Sequence, residues 1–138
     1  MNRIGRSGVS RGMWRAFLIV LVLLAGCDGP APAADATLQV EALAGPTCPV
    51  ETDPPDPDCA PRPVADAPIV VTSADGGQVV AEGGTDANGR LTLGLPAGDY
   101  LVTAGPVEGL MAAPAPVPVS VSVGESSEIQ LAYDTGIR

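Results

Sequence analysis

The 138-residue sequence contains no histidine and no lysine, one tryptophan, one phenylalanine and two tyrosines. Each absence removes a class of chemistry. Without histidine there is no Ser-His or Cys-His nucleophile pair, and without lysine there is no Schiff base. A zinc site would have to be built from cysteines and carboxylates alone, and the spacing of Cys48 and Cys59 is not the short spacing such sites use. Basic residues are also scarce. Arg3, Arg6, Arg11 and Arg15 fall in the first 15 residues, which leaves Arg62, Arg90 and Arg138 for the remainder. No basic patch can form, so nucleic acid is excluded as a partner.

The N-terminus concentrates what the rest lacks. Four arginines with no acid among them precede "AFLIVLVLLAG", residues 16–26. This apolar run is shorter than the roughly 20 residues a membrane span needs. It fits the apolar region of a secretory signal, about 7–15 residues long. The run closes on Leu24-Ala25-Gly26-Cys27, which resembles the lipobox of bacterial lipoproteins. The resemblance implies cleavage before Cys27, a lipid on its thiol, and attachment to a membrane through that lipid. Two or three acyl chains anchor stably, whereas one is marginal. Asp28 after the cysteine resembles the enteric Gram-negative signal for retention at the inner membrane, whose periplasmic side the domain would then occupy. In a Gram-positive cell the expected location is the cell surface. The expected organisation is a signal peptide over 1–26 with a signal helix, a lipidated cysteine and flexible tether over 27–36, and one domain over 37–138. Removing the four leader arginines takes the net charge from -9 to -13, so an anionic lipid surface would repel the domain and the lipid alone would hold it.

From residue 37 onward the pattern is all β. Alternating apolar runs at 37–44, 68–73, 78–82, 90–95, 99–105, 117–123 and 127–133 are separated by Gly, Pro, Asn and Asp. Period-two alternation with one polar side is the mark of a half-buried strand. The expectation is a seven-stranded antiparallel β-sandwich. Pro118 cannot donate to a ladder, which predicts an edge strand there. With so few aromatics, the core is expected to be Val, Leu and Ile.

The stretch "TDANGRLTLGLPAGDYLV", residues 85–102, resembles the carboxypeptidase regulatory-like family, with its transthyretin-like (prealbumin-like) sandwich. Thr85, Asp86, Gly89, Leu93, Leu95, Pro96, Gly98 and Tyr100 stand at the family's positions. The resemblance implies a fold and says almost nothing of function. Some transthyretin-like proteins hydrolyse a urate-derived substrate with histidines and a characteristic C-terminal tetrapeptide. A chain without histidine that reads "YDTGIR" at residues 133–138 does not carry that activity. The residues themselves predict structural roles. Asn88-Gly89 suits a tight hairpin turn, Pro96 and Gly98 a second turn, and Tyr100 a buried ring with its hydroxyl on a backbone partner. Calcium ligation by Asp86 and Asn88 is the less common use of such residues.

The remaining feature is "TCPVETDPPDPDCAP", residues 47–61. If Cys27 carries lipid, two thiols remain, and they either pair with each other or stay free. An oxidising compartment favours a Cys48–Cys59 disulfide; closing that loop is worth about 3 kcal/mol in the chain-entropy picture. A redox-active pair fits less well, with a long spacing and no cation to lower a thiol pKa. Asp53, Asp56 and Asp58 are weak candidates for a calcium site, since the prolines stiffen the loop in an extended form. Arg138 is expected to be solvated. No cofactor, catalytic residue or small-molecule substrate is expected. The anticipated role is structural, adhesive or protein-binding at the cell envelope; a module binding calcium or a glycan at loop 48–59 is the alternative.

Overall fold

The computed structural model describes residues 33–138. The signal segment 1–26, Cys27 and most of the tether lie outside the described residues. Eight strands follow one another: β1 (Ala36–Gly45), β2 (Arg62–Pro63), β3 (Pro68–Ser73), β4 (Val79–Gly84), β5 (Arg90–Leu95), β6 (Gly98–Ala104), β7 (Val117–Val121) and β8 (Ser126–Asp134). They form two sheets. In one, β1 is central, with β8 on one side and β5 followed by the short β2 on the other; the second runs β4-β3-β6-β7.

The seven expected strands are all present, and the two-residue β2 is added. One pairing departs from the antiparallel expectation: β8 runs parallel to β1 from Thr37↔Ser126 to Gly45↔Asp134. Alternation reports which side of a strand is buried, not the direction of its neighbour. Among the described residues β7 lies at the edge of its sheet with a ladder to β6 alone, in which Pro118 pairs with Leu101. The strand expected over 117–123 ends at Val121, and Val123 is 67% exposed in the turn that follows.

Between the sheets lies an aliphatic core. β1 contributes Ala36, Leu38, Val40, Ala42 and Ala44, all buried on one side. Facing them are Ile69 and Val71 of β3 and Tyr100, Val102 and Ala104 of β6, closed at the flanks by Leu95, Val121, Leu131 and Tyr133. Leu91, Leu93 and Ile129 are only partly buried, so the core thins toward the flanks. Beside the small Ala44 of β1 stands its register partner Tyr133 of β8, the largest of the fully buried side chains. Its hydroxyl donates to the Gly105 carbonyl at 2.9 Å. Among the described residues no buried side-chain nitrogen or oxygen lacks a partner.

At about 3.3 Å per residue, β1 carries the chain about 30 Å along the sandwich. Asp35 fixes its start: the carboxylate accepts from Ala97 N–H at 2.9 Å and the carbonyl from Gly124 N–H at 2.8 Å. Asp35 thus ties the entry into β1 to the β5–β6 and β7–β8 turns. The far end of β1 gathers loop 46–61, the β4–β5 turn, the segment after β6 and the C-terminal residues.

Candidate functional site

β1 ends at Gly45, and the chain returns as β2 with Ala44↔Arg62 and Leu43↔Pro63 paired. Everything between is the acidic loop. Cys48 and Cys59 are joined by a disulfide with Cα atoms 5.3 Å apart, a few residues beyond the Ala44↔Arg62 pair that already closes the base. Thr47 lies beside the staple and donates from Oγ1 to the Cys59 carbonyl at 2.5 Å. Pro57–Cys59 forms a single 3-10 turn. Pro57 starts it, where a missing N–H costs nothing, and Asp56 caps it by accepting from Asp58 N–H at 2.9 Å. Thr52 donates to the Pro54 carbonyl at 3.0 Å. Glu51, Thr52, Pro55, Asp56, Pro57 and Pro61 line an open groove of about 370 Å³ within the loop.

The three candidate calcium ligands do not converge. Asp53, Asp56 and Asp58 are all exposed, and Asp56 is occupied as a cap. Among the described residues no three of His, Cys, Asp or Glu gather as a metal site.

The motif residues take up positions in the two turns that carry the chain between the sheets. Asn88-Gly89 does not close a hairpin, because β4 belongs to one sheet and β5 to the other. A tight turn reads the same locally whether its strands pair with each other or diverge. Here Asp86 accepts on Oδ1 from Asn88 N–H and Arg90 N–H, both at 2.9 Å, so its carboxylate serves the turn. Gly89 has φ +73°, and a Cβ there would sit 2.5 Å from the Ala42 carbonyl oxygen. Its own carbonyl accepts from Ala42 N–H at 2.7 Å. Both the left-handed conformation and the close approach require glycine.

Thr85 is 3% exposed. Its hydroxyl donates to the Val64 carbonyl at 2.6 Å and accepts from Ala67 N–H at 2.9 Å. Its backbone bonds Asp66 N–H and the Ala67 carbonyl. Thr85 thus holds the segment leading from the stapled loop into β3, where Asp66 has φ 55°, a conformation Asp tolerates better than most residues. At the other crossing, Tyr100 buries its ring and donates to the Pro96 carbonyl at 2.6 Å, as its motif position predicts. Gly98 opens β6 opposite Val121.

Sequence reasoning missed the Thr47 contact, the Asp35 cap and the Thr85 clamp. Only Thr85 carried a signal, as the threonine of the Thr85-Asp86 motif. The C-terminal expectation is also corrected. Arg138 is not free: it pairs with Asp134, Nη2 to Oδ2 at 2.9 Å. That guanidinium, with Gly136 N–H, holds the Asp134 carboxyl below its ordinary range. Ser73 and Gly77 N–H do the same for Asp75. Burial pushes the Tyr133 phenol up; burial and then the nearby Asp35 charge do so for Tyr100.

No protein-family profile and no curated protein matches the chain. Solved structures do share the fold. The minor pilin GBS52 of Streptococcus agalactiae matches 72% of this chain with a TM-score of 0.58 at 15% identity, over 44% of its own length. The Bacillus anthracis TIE protein matches 72% of this chain with a TM-score of 0.53 at 18% identity, over 16% of its length. The shaft pilin SpaA of Lactobacillus rhamnosus GG matches 70% of this chain with a TM-score of 0.52 at 14% identity, over 48% of its length. The chain thus spans half or less of each of these three structures. At such identities the likeness establishes a shared β-sandwich and nothing finer.

Proposed function

We propose that this chain is a non-catalytic, extracytoplasmic β-sandwich module, held to a membrane by lipid on Cys27, with a structural, adhesive or protein-binding role at the cell envelope. In this reading residues 1–26 are the signal, 27–36 the lipidated cysteine and tether, and the sandwich over 37–138 the presented domain. One observation carries the non-catalytic part: the motif side chains able to do chemistry are already committed to backbone groups. Thr85 clamps residues 64–67, Asp86 holds its own turn, Asp56 caps the 3-10 turn and Tyr100 bonds Pro96. The staple supports an oxidising location, and the fold shared with a shaft pilin and a minor pilin supports a building-block role. β1 separates the start of the domain from the stapled loop by about 30 Å, so a tether at Asp35 leaves the loop at the free end.

The test is the location of Cys27→Ser. The wild-type chain fractionates with membranes and carries acyl mass at Cys27, while the variant is released soluble. A Cys27→Ser chain that stays membrane-bound overturns the anchor. The second reading, a calcium or glycan ligand at loop 48–59, is favoured by the groove beside Glu51 and Asp56. A ligand that binds only the folded state raises Tm. An unchanged melt in millimolar calcium removes the metal version.

A further inference from the structure

The two outer faces of the sandwich differ in a way that a monomeric role does not require. On the β1-centred sheet the outward residues over most of its length are Gln39, Glu41, Arg90, Thr92, Glu128 and Gln130, with Arg90 to Glu41 at 3.4 Å and Gln130 to Glu41 at 3.4 Å. Only at the end nearest the stapled loop do Leu43, Pro63 and Ala132 share that face. Along the middle of that sheet this is the apolar-in, polar-out alternation of a sheet with one wet face. The β4-β3-β6-β7 sheet breaks that rule. Its inward residues are Ile69, Val71, Tyr100 and Val102, yet the outward positions between them are again apolar or methyl-bearing. Val70 lies opposite Thr103, Thr72 opposite Leu101, and Leu101 opposite Pro118. Val79 and Val80 extend the patch onto β4, 57% and 38% exposed.

The rim is acidic. Glu82 lies opposite Val70 and Asp99 opposite Ser120, and Asp75 stands in the β3–β4 turn. No lysine or arginine occurs on the four strands or in the turns joining them. The edges of the sheet are blunted: Val80 forms a bulge between the pairs Val71↔Ala81 and Thr72↔Val79, and Pro118 interrupts the donors of β7. These devices disfavour strand addition at an edge and leave the face itself as the contact.

We infer that this outer face is a docking surface for a protein partner whose patch is apolar at its centre and basic at its rim. Charge complementarity chooses that occupant. A second copy would set Glu82 and Asp99 against like charges. Four strands about 4.8 Å apart also offer only about 400 Å² a side, against about 800 Å² per partner in a stable interface of standard size. An anionic lipid surface is repelled by the same rim. A basic-rimmed protein meets both centre and rim and can reach past the sheet. The inference concerns the folded domain and holds whether or not Cys27 is acylated.

The test uses the full chain in phosphatidylcholine nanodiscs and a helical peptide of about four turns with one leucine face flanked by lysines. A matched peptide carries glutamates in place of the lysines. The lysine peptide is expected to bind, with amide shifts confined to β3, β6 and β7. Val70→Thr with Leu101→Thr should weaken it about tenfold or more at unchanged Tm, since both side chains face outward and threonine suits a strand. Glu82→Gln with Asp99→Asn should weaken binding and flatten its salt dependence, while Glu128→Gln on the other sheet leaves it unchanged. Equal binding of both peptides, shifts centred on residues 46–61, or no binding would overturn the proposal. So would dimerisation of the chain that the threonine pair abolishes.

Discussion

The sandwich body and the stapled loop are one chain held by two kinds of force. In the body, Leu38, Val40, Ala42, Val71 and Val102 are at most 1% exposed, and the ladders of two sheets run through them. In loop 46–61 no residue is fully buried; its shape rests on one disulfide, one capped turn and the hydroxyls of Thr47, Thr52 and Thr135 on backbone carbonyls. The body draws on removal of apolar surface from water, at about 25 cal/mol per Å². The loop draws on limits to the freedom of the unfolded chain. Changes to the body should therefore unfold everything, while changes to the loop should cost stability without disordering the sheets.

The largest expected effect is at the seam between the two. Gly89→Ala puts a Cβ against the Ala42 carbonyl and forces a left-handed φ on alanine. The backbone of both central and flanking strands must shift, a cost of about 3 kcal/mol or more. Thermal and urea melts by circular dichroism should show a cooperative loss of the whole domain, or no folded protein. A Gly89→Ala chain as stable as wild type would mean the turn is less constrained than its contacts imply. Leu38→Ala, fully buried near the start of β1, should follow at about 3 kcal/mol through the lost transfer energy and the cavity left behind.

Cys48→Ser tests the other half of the comparison. The expected loss is about 3 kcal/mol, similar in size to the core truncation but different in kind. Amide exchange in β3 and β6 should stay slow in the folded variant, while exchange around residues 50–60 should speed up. Loss of protection throughout would show that loop and body form one cooperative unit. Thr85→Val comes next. Its hydroxyl serves two backbone groups of the 64–67 segment, and leaving a buried N–H and carbonyl unmatched costs about 2 kcal/mol. Thr85→Ser, which keeps the hydroxyl, should recover most of that difference.

How much of this was legible in the sequence follows the same division. The body was readable because burial imposes alternation: Val117-Pro118-Val119-Ser120-Val121 and Ile129-Gln130-Leu131-Ala132-Tyr133 declare their inner sides one residue at a time. Neighbour and direction leave no such trace, so the parallel β1–β8 ladder and the sheet-to-sheet crossing at Gly89 stayed hidden. The alternation also failed to flag the outer face of β3 and β6. "PIVVTS" is apolar on both sides, and a run without a polar phase reads as a buried strand. In the loop, the pairing of Cys48 with Cys59 followed from the leader. The Thr47 contact did not, because it joins residues 12 apart through a backbone carbonyl and has no local pattern.

The smallest expected effect is a titration that separates the surface from the core. Arg138 and Gly136 N–H depress the Asp134 carboxyl in the folded state. Its contribution is therefore present above the unfolded value of 3.8 and is lost as pH falls through the lower folded value. Arg138→Ala removes the larger cause, so the urea midpoint should be displaced downward at neutral pH and its acid limb should flatten, converging on wild type at low pH. The pair is exposed and screened, so the displacement should shrink in salt. Tyr133 moves the opposite limb. Its phenol is 1% exposed and burial raises its pKa above 10.0, so its contribution is complete below that value and is lost as pH rises through the folded one. Tyr133→Phe should flatten the alkaline limb and leave the acid limb where it was. An Arg138→Ala chain whose acid limb superposes on wild type would show the C-terminal pair to be a contact without energetic weight. A Tyr133→Phe chain with an unchanged alkaline limb would show that the phenol ionises only after the sheets have already parted.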